Sequence, residues 1–334
     1  MSALWILPLV LCVSWGGTYF LRRYALMDVP NERSSHSVPT PRGGGVAIVL
    51  AFILGMVLLF EHDLVQISLF FGVVGTGLVV AIIGFADDHG HIAAKWRLIG
   101  HFVASIWALY WLGGLSPIQV FGVTYDLGWL GHILACTYLV WMLNLYNFMD
   151  GIDLLASAEC VFVCLGMCIV FYVQGHVSLI FYTTILAMAV LGFLFWNYPP
   201  AKIFMGDAGS GFLGIVLGVL TIICNNISSE LLWSCLILLA VFIVDATITL
   251  FSRLFNGENI YQAHRTHAYQ IAAVKLNSHL CVIKLVSLVN FFWLLPLAYA
   301  VATKAVAGVV GLVVAYFPLI VLVIRCRAVH VSLR

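Results

Sequence analysis

Residues 155–195 read LASAECVFVCLGMCIVFYV, then QGH, then VSLIFYTTILAMAVLGFLF, so that two long apolar runs are parted only by Gln174, Gly175 and His176. A helix needs roughly 20 apolar residues to cross the hydrocarbon core of a bilayer. Each run therefore reads as a membrane span, and the polar triplet as the tight turn of a helical hairpin. The remainder of the chain has the same character. Of 334 residues, 63% are hydrophobic and 9% are charged, against roughly 25% charged in an ordinary soluble domain. Such a composition leaves too little polar surface to face water, and lipid is the solvent that suits it. A soluble protein is excluded. The net charge of +1 comes with no basic run, so nothing points to a nucleic-acid partner.

Working outward from the hairpin, apolar stretches lie near 3–21, 44–60, 67–86, 97–113, 131–148, 155–173, 177–195, 210–225, 231–254, 280–300 and 305–324. They predict an all-α polytopic membrane protein with about 11 transmembrane helices, a single membrane domain over 1–334 with no soluble part. With the N-terminus outside, every Lys and Arg except Lys304 falls in an inside loop, near its boundary, or in the tail. The positive-inside rule then places the C-terminus in the cytoplasm. Arg22 and Arg23 follow the first apolar run instead of preceding it, which argues against a secretory signal. Most of the nine cysteines sit within or beside apolar stretches and read as packing residues, and no disulfide framework is expected. Asn226-Ile227-Ser228 fits the glycosylation triplet, a pattern too short to carry weight.

With so few polar residues, their placement carries the information, and they crowd on the inside face. In chain order come Asn31-Glu32-Arg33-Ser34-Ser35-His36 with Pro39-Thr40-Pro41-Arg42-Gly43-Gly44-Gly45, then Asp87-Asp88, Asn144 to Asp153, Asp207-Ala208-Gly209-Ser210-Gly211, and His264-Arg265-Thr266-His267. Adjacent carboxylates repel, so Asp87 and Asp88 either share a proton or a cation or mark a helix end in water. Asn144, Asn147 and Asp150 recur at three-residue intervals, close to one helix face, where they project oxygens inward or serve as caps. Asp207 precedes a glycine-rich helix start, a place suited to a cation together with phosphate oxygens. Gly209 to Gly214 match the dinucleotide fingerprint but follow no strand and open a span, so a Rossmann reading fails. Gly214 and Gly218 read instead as a small-residue helix contact. Arg265 between His264 and His267 offers a planar fork for phosphate, or a solvated loop. Asp245 lies inside the ninth span, where it contacts the cleft or locks helices together. Hard oxygen ligands favour Mg²⁺, with Mn²⁺ as the alternative, and neither a Walker A motif nor a kinase motif set is present.

These five motifs, in this order and interleaved with spans, resemble the polyprenyl-phosphate N-acetylhexosamine-1-phosphate transferases of glycosyltransferase family 4. The first loop, Pro39 to Gly45, is most similar to the bacterial branch that initiates O-antigen and related surface polysaccharides. The resemblance implies transfer of a sugar 1-phosphate from a UDP-N-acetylhexosamine to undecaprenyl phosphate in the bacterial inner membrane, with release of UMP. On matching positions it makes Asp87 a base or positioning group for the lipid phosphate, supported by Asp88. It makes Asn147 and Asp207 the Mg²⁺ ligands, Phe204 a platform for the uracil, and Asp153 a hydrogen-bonding neighbour of that base. Asn144 and Asp150 shape the nucleotide site, and Arg265, flanked by His264 and His267, holds the diphosphate. A homodimer is also implied. The peptidoglycan branch carries consecutive histidines where this chain reads His264-Arg265-Thr266-His267, which weighs against a phospho-muramyl-pentapeptide transferase. A lipid or solute transporter, the rival of another class, is expected to place its site near the midplane between related halves. Here only Asp245 is deep and no matching halves are found.

Overall fold

The structure is a computed structural model that describes residues 3–30, 38–90, 92–258 and 265–332. Residues 31–37 and 259–264, and with them the Asn31 to His36 motif and His264, lie outside the described residues. The helices run in chain order as α1 (Ile6–Tyr24), α2 (Gly45–Glu61), α3 (Ile67–Gly90), α4 (Ala94–Leu112), α5 (Gly128–Met149), α6 (Leu155–Val173) and α7 (Val177–Asn197). They continue as α8 (Asp207–Ile227), α9 (Ser229–Leu238), α10 (Ala240–Phe255), α11 (Ala268–Leu276), α12 (His279–Ala302) and α13 (Gly308–Ser332). The hairpin of 155–195 is α6 and α7, packed side by side.

Each of the eleven apolar stretches is helical, yet the count of about 11 spans is not supported. Among the described residues, seven helices are long and apolar enough to cross a membrane, or eight if the bent pair α9–α10 forms one span. The 17-residue α2 is shorter than those helices, and α1 and α4 do not reach their apolarity, with Arg22 and Arg23 closing α1 and Lys95 and Arg97 opening α4. The stretch 231–254 is not one helix either, because it bends by 70° between α9 and α10 at Leu239. Nor is the chain wholly α. Among the described residues, two small antiparallel sheets join β1 (Met27–Asp28) to β2 (Thr40–Pro41) and β3 (Ile118–Val120) to β4 (Val123–Tyr125). The protein is multi-pass, and its flanks expose large apolar side chains such as Trp129, Phe255, Phe292 and Phe317, as lipid-facing surfaces do.

The bundle is organised around α8, the most buried of the candidate spans, with α2, α3, α5 and α9 packed on it. The expected small-residue contact is present. A Cβ at Gly214 would stand 2.5 Å from the Met142 carbonyl oxygen, and one at Gly218 would stand 3.1 Å from Leu139, so hydrogen in place of a side chain lets α5 and α8 touch. A second intramembrane carboxylate, Glu159 at 2% exposure, is paired with Asn290, whose amide donates to it across α6 and α12. At the end of the bundle away from the α8 N-terminus, Asn226 donates to the carbonyls of Leu112 and Gly114 while its oxygen accepts from the Ser116 N–H. The glycosylation triplet is thus a structural clasp in which both amide hydrogens are engaged. All nine cysteines are free thiols.

Candidate functional site

The glycine-rich stretch after Pro41 turns its backbone toward the segment that leads into α8. The N–H groups of Gly43 and Gly44 donate to the Phe204 carbonyl at 3.0 and 2.9 Å, and that of Gly45 to the Met205 carbonyl at 2.8 Å. In return the Phe204 N–H donates to the Pro41 carbonyl at 2.8 Å. These glycines therefore spend their donors on protein rather than on phosphate. A glycine of another segment brings a further close approach, since a Cβ at Gly84 would lie 2.6 Å from the peptide joining Asp207 to Ala208. The end of α3 is thereby drawn against the start of α8.

That approach brings Asp88 to the N-terminus of α8. Its two oxygens accept from the N–H groups of Asp207 and Ala208 at 3.1 and 3.2 Å. The seat that the sequence offered to phosphate oxygens is filled by a carboxylate from 119 residues upstream. Asp87 faces another way, accepting from the Ile92 N–H at 2.8 Å and pairing with Arg97. Asp207 is paired with Arg42, has Arg97 at 3.7 Å, and accepts a hydrogen bond from Asn147. Arg42 also lies 3.0 Å from Asp88. Burial opposes its charge, yet Asp207 and Asp88, with Asp28 and Asp150 beyond them, hold its pKa above the ordinary guanidinium value.

Beside this cluster opens a cavity of about 230 Å³ lined by Asn147, Asp150, Gly151, Ile152, Asp153, Phe204 and Asp207. Arg42, Asp28, Asn197, Gln270 and His279 complete the polar part of its wall. Asp150 ends α5 as its C-cap. Burial pushes the Asp150 carboxyl well above the usual carboxylate range, and Asp207, Asp88 and Asp153 push the same way against the opposing pull of Arg42. Between the unfolded-chain value of 3.8 and the raised folded value, the native state keeps a proton that the unfolded chain has released. Stability from this group is therefore greatest below 3.8 and declines as pH rises through that window. Asp150→Asn cannot ionise, so in metal-free protein its melting temperature is expected to rise relative to the parent as pH climbs above 3.8. Thermal unfolding of both across pH checks this, and a difference that stays flat with pH counts against it.

A second cavity, of about 510 Å³, adjoins the first through shared walls at Asp153, Gln270 and His279. Arg265 lines it together with Pro199, Pro200, Asn277 and Ser278, so the guanidinium stands next to the acidic cleft rather than within it. His279 bridges the two, with Nδ1 at 3.5 Å from Asp153, whose carboxylate also accepts from the Ala201 N–H at 3.1 Å.

Three expected residues are turned elsewhere. The Asn144 amide donates back to the Val140 carbonyl of its own helix at 2.7 Å, leaving Asn147 and Asp150 on the cleft. His267, at 3% exposure, is the N-cap of α11, where its side chain and that of Gln270 form a capping box. Asp245, at 4% exposure, accepts from the N–H groups of Ala268 and Tyr269, both at 3.0 Å, and lies 3.4 Å from His267. Of its two readings, the lock prevails. Asp245 and His267 together hold the start of α11, and the Tyr269 hydroxyl then donates to the Phe148 carbonyl at 2.9 Å, tying α11 to the Asn147 segment. Arg327 of α13 donates to the Thr266 carbonyl at 2.8 Å, which fixes the residue next to Arg265.

Sequence reasoning did not single out Asp28, Asn197, Gln270, His279 or the pairing of Arg42. Asn197 carried a signal, standing at the end of an apolar run before Tyr198-Pro199-Pro200. Its carboxamide oxygen accepts from the Leu154 N–H at 2.8 Å and its nitrogen donates to the Ile203 carbonyl at 3.1 Å, so it joins both rims of the cleft. Among the described residues, no three His, Cys, Asp or Glu side chains converge as a closed metal cage. Mg²⁺ does not need one, since it keeps waters and takes one or two carboxylates plus substrate phosphates. Asp207 and Asn147, hydrogen-bonded to each other on the wall of one cleft, are a carboxylate and an amide that fit that demand.

A family model described as glycosyl transferase family 4 matches residues 70–225. The chain is 26% identical over 275 residues to the "Probable undecaprenyl-phosphate N-acetylglucosaminyl 1-phosphate transferase" of Bacillus subtilis (strain 168), covering 80% of this chain and 75% of that protein. It is 29% identical over 252 residues to the phospho-N-acetylmuramoyl-pentapeptide-transferase of Streptococcus equi subsp. equi (strain 4047), covering 69% and 73% of the two chains. To the Moorella thermoacetica (strain ATCC 39073 / JCM 9320) protein of that same name it is 34% identical over 201 residues, covering 56% and 62%. The family match takes in Asp87, Asp88, Asn147, Asp150, Asp153, Phe204 and Asp207, and leaves Arg42, Arg265 and His267 outside it.

Proposed function

The chain belongs to glycosyl transferase family 4, and on that premise we propose that it transfers an N-acetylhexosamine 1-phosphate from a UDP-amino sugar to undecaprenyl phosphate. UMP is released, and a lipid-linked surface polysaccharide such as O-antigen is begun. The observation that carries this reading is the gathering of Asn147, Asp150, Asp153, Phe204 and Asp207 around one cleft beside Asp87 and Asp88. The protein sits in the bacterial cytoplasmic membrane with its N-terminus outside and the cleft facing the cytoplasm, a reading supported by the one-sided Lys and Arg distribution.

Phe204 stacks on the uracil and Asp153 hydrogen-bonds near it. Burial, and after it the neighbouring carboxylates, raise the Asp150 carboxyl, which favours its protonated, hydrogen-bond-donating form in the nucleotide site. Arg265 neutralises the sugar-side phosphate from the adjoining cavity. Asp207 and Asn147 would hold Mg²⁺, which when bound would supply charge neutralisation at the diphosphate. An oxygen of the lipid phosphate then attacks the phosphorus bearing the sugar. The new P–O bond forms as the bond to the bridging oxygen breaks, and UMP leaves with that electron pair. A phosphate monoester has a second pKa of about 6, so the nucleophile is already ionised near neutral pH. Asp87 therefore orients the lipid phosphate and is not required as a strong base, which makes a single displacement sufficient.

The relatives named phospho-N-acetylmuramoyl-pentapeptide-transferase favour a second reading, in which the donor is UDP-N-acetylmuramoyl-pentapeptide. One experiment separates them. Purified protein in detergent is given undecaprenyl phosphate, Mg²⁺ and, in turn, the UDP forms of N-acetylglucosamine, N-acetylfucosamine, N-acetylquinovosamine and the muramoyl pentapeptide. UMP release with one of the first three, lost without lipid or metal, is the expected result. Release with the pentapeptide donor alone selects the second reading, and silence with every donor from folded protein overturns both. A phosphosugar–enzyme adduct isolated without lipid overturns the single displacement.

A further inference from the structure

Arg42 is not a surface arginine that happens to reach a carboxylate. Its backbone is fixed on both sides, by its own N–H donating to the Leu26 carbonyl at 2.9 Å and by Gly43 donating to Phe204. The side chain is 39% exposed and lines the cleft, while its guanidinium is paired with Asp207 and lies 3.0 Å from Asp88. Asp207 is also the carboxylate that, with Asn147, would take a divalent cation. A guanidinium and a divalent cation on the same carboxylate repel each other strongly in a partly desolvated cleft. Asp88 does not relieve the conflict, because both its oxygens are committed to the first N–H groups of α8.

We infer that Arg42 is a resident counter-ion of Asp207 that exchanges with the divalent cation, and that the displaced guanidinium takes phosphate oxygens of the nucleotide donor. The inference rests on the metal reading proposed above. Its chemistry follows from the arginine fork, which fits a carboxylate or a phosphate equally well, so that Arg42 can pass from one to the other without leaving the cleft. Asp28 lines the same cleft as Arg42, so a carboxylate remains beside the guanidinium once Asp207 is released. The cation is then bound weakly by the empty enzyme and firmly once a diphosphate is there to receive the guanidinium.

Mn²⁺ titrated into purified protein without nucleotide, and followed by the electron paramagnetic resonance of the free ion, tests this apart from catalysis. Arg42→Met, which keeps the length and loses the charge, is expected to bind Mn²⁺ about 5–150-fold more tightly than the parent, the usual range of a coupling between sites. Arg42→Lys, with the charge but no fork, is expected to fall between them. At saturating Mn²⁺, UDP is expected to bind Arg42→Met more weakly than the parent. If Arg42→Met does not fold, Arg42→Lys decides, tighter Mn²⁺ binding supporting the exchange and equal or weaker binding overturning it. A folded Arg42→Met that binds Mn²⁺ no tighter than the parent, or UDP no more weakly, also overturns it. Asp207→Asn keeps the two failures distinct. Mn²⁺ binding lost there but unchanged in Arg42→Met sinks the exchange alone, whereas binding that is indifferent to Asp207, or absent from both the parent and Arg42→Met, sinks the metal reading as well.

Discussion

Asp207→Asn is expected to lower UMP release by at least about 10²–10³-fold, the loss seen when one preorganised electrostatic partner of a transition state is removed. Its thermal unfolding should stay close to that of the parent. The amide has nearly the same volume, and the α8 N-terminus is capped by Asp88 rather than by Asp207 itself. Asp88→Ala is the contrasting variant. It removes the two oxygens that receive the first N–H groups of α8, a loss of about 0.5–2 kcal/mol by analogy with N-cap deletions. Its signature is thus lowered stability together with lowered activity. Side-by-side melting curves and UMP assays separate the two behaviours, and near-parental activity in Asp207→Asn would remove the basis for placing the diphosphate at this carboxylate.

Gly45→Ala is expected to have the largest structural effect. The added Cβ would stand 2.3 Å from the Gly209 Cα, 2.7 Å from the Gly209 nitrogen and 2.9 Å from the Met205 carbonyl oxygen. All three are backbone atoms, so no rotamer change relieves the clash. Overpacking of a tight interior commonly costs 1–3 kcal/mol, and a contact that only backbone shifts can relieve is expected at about 3 kcal/mol or above. The shift also moves Arg42 and Phe204, which hang on the same backbone hydrogen bonds, so UMP release falls with the melting temperature. Gly16→Ala is the control, because a Cβ there meets nothing within 4 Å and alanine favours the helix by about 1 kcal/mol. A Gly45→Ala protein that melts and turns over like the parent would mean that α2 and α8 do not pack as described.

The helical hairpin of 155–195 and the Gly214–Gly218 contact were legible because each rests on local spacing along one chain segment. The gathering of carboxylates was legible because polar residues are scarce and the inside loops hold most of them. The break at Leu239 was not, since Leu238-Leu239-Ala240 contains neither proline nor glycine; α9 packs on α6, α8 and α12, α10 on α5, and both on α13, neighbours that no local pattern names. Nor does any local pattern announce that Asp88 caps a helix 119 residues away, or that Asp245 anchors a helix start 23 residues on. His267 looked available because its loop is polar, but a capping box uses the same residue types as a phosphate site. His279 and Gln270 were overlooked because each stands at the edge of an otherwise apolar helix.

The clasp at the far end of the bundle gives the molecule two differently fastened ends. There the connections are held by neutral amides and hydroxyls: Asn226 on Leu112, Gly114 and Ser116, Asn225 on Ser116, Gln174 on Ala302 and Ser228. Among the described residues, the one ion pair at that end is an exposed Lys304–Glu230 contact at 3.7 Å, of a kind that contributes little. The cleft end is fastened by half-exposed Arg42 and Arg97 on three carboxylates. These contacts lie well inside the screening length of about 8 Å at physiological ionic strength, so they answer to charges placed among them, whereas neutral hydrogen bonds do not. A charge entering the cleft, such as a cation or a diphosphate, therefore acts on the fastening of one end of the protein and leaves the opposite end as it was.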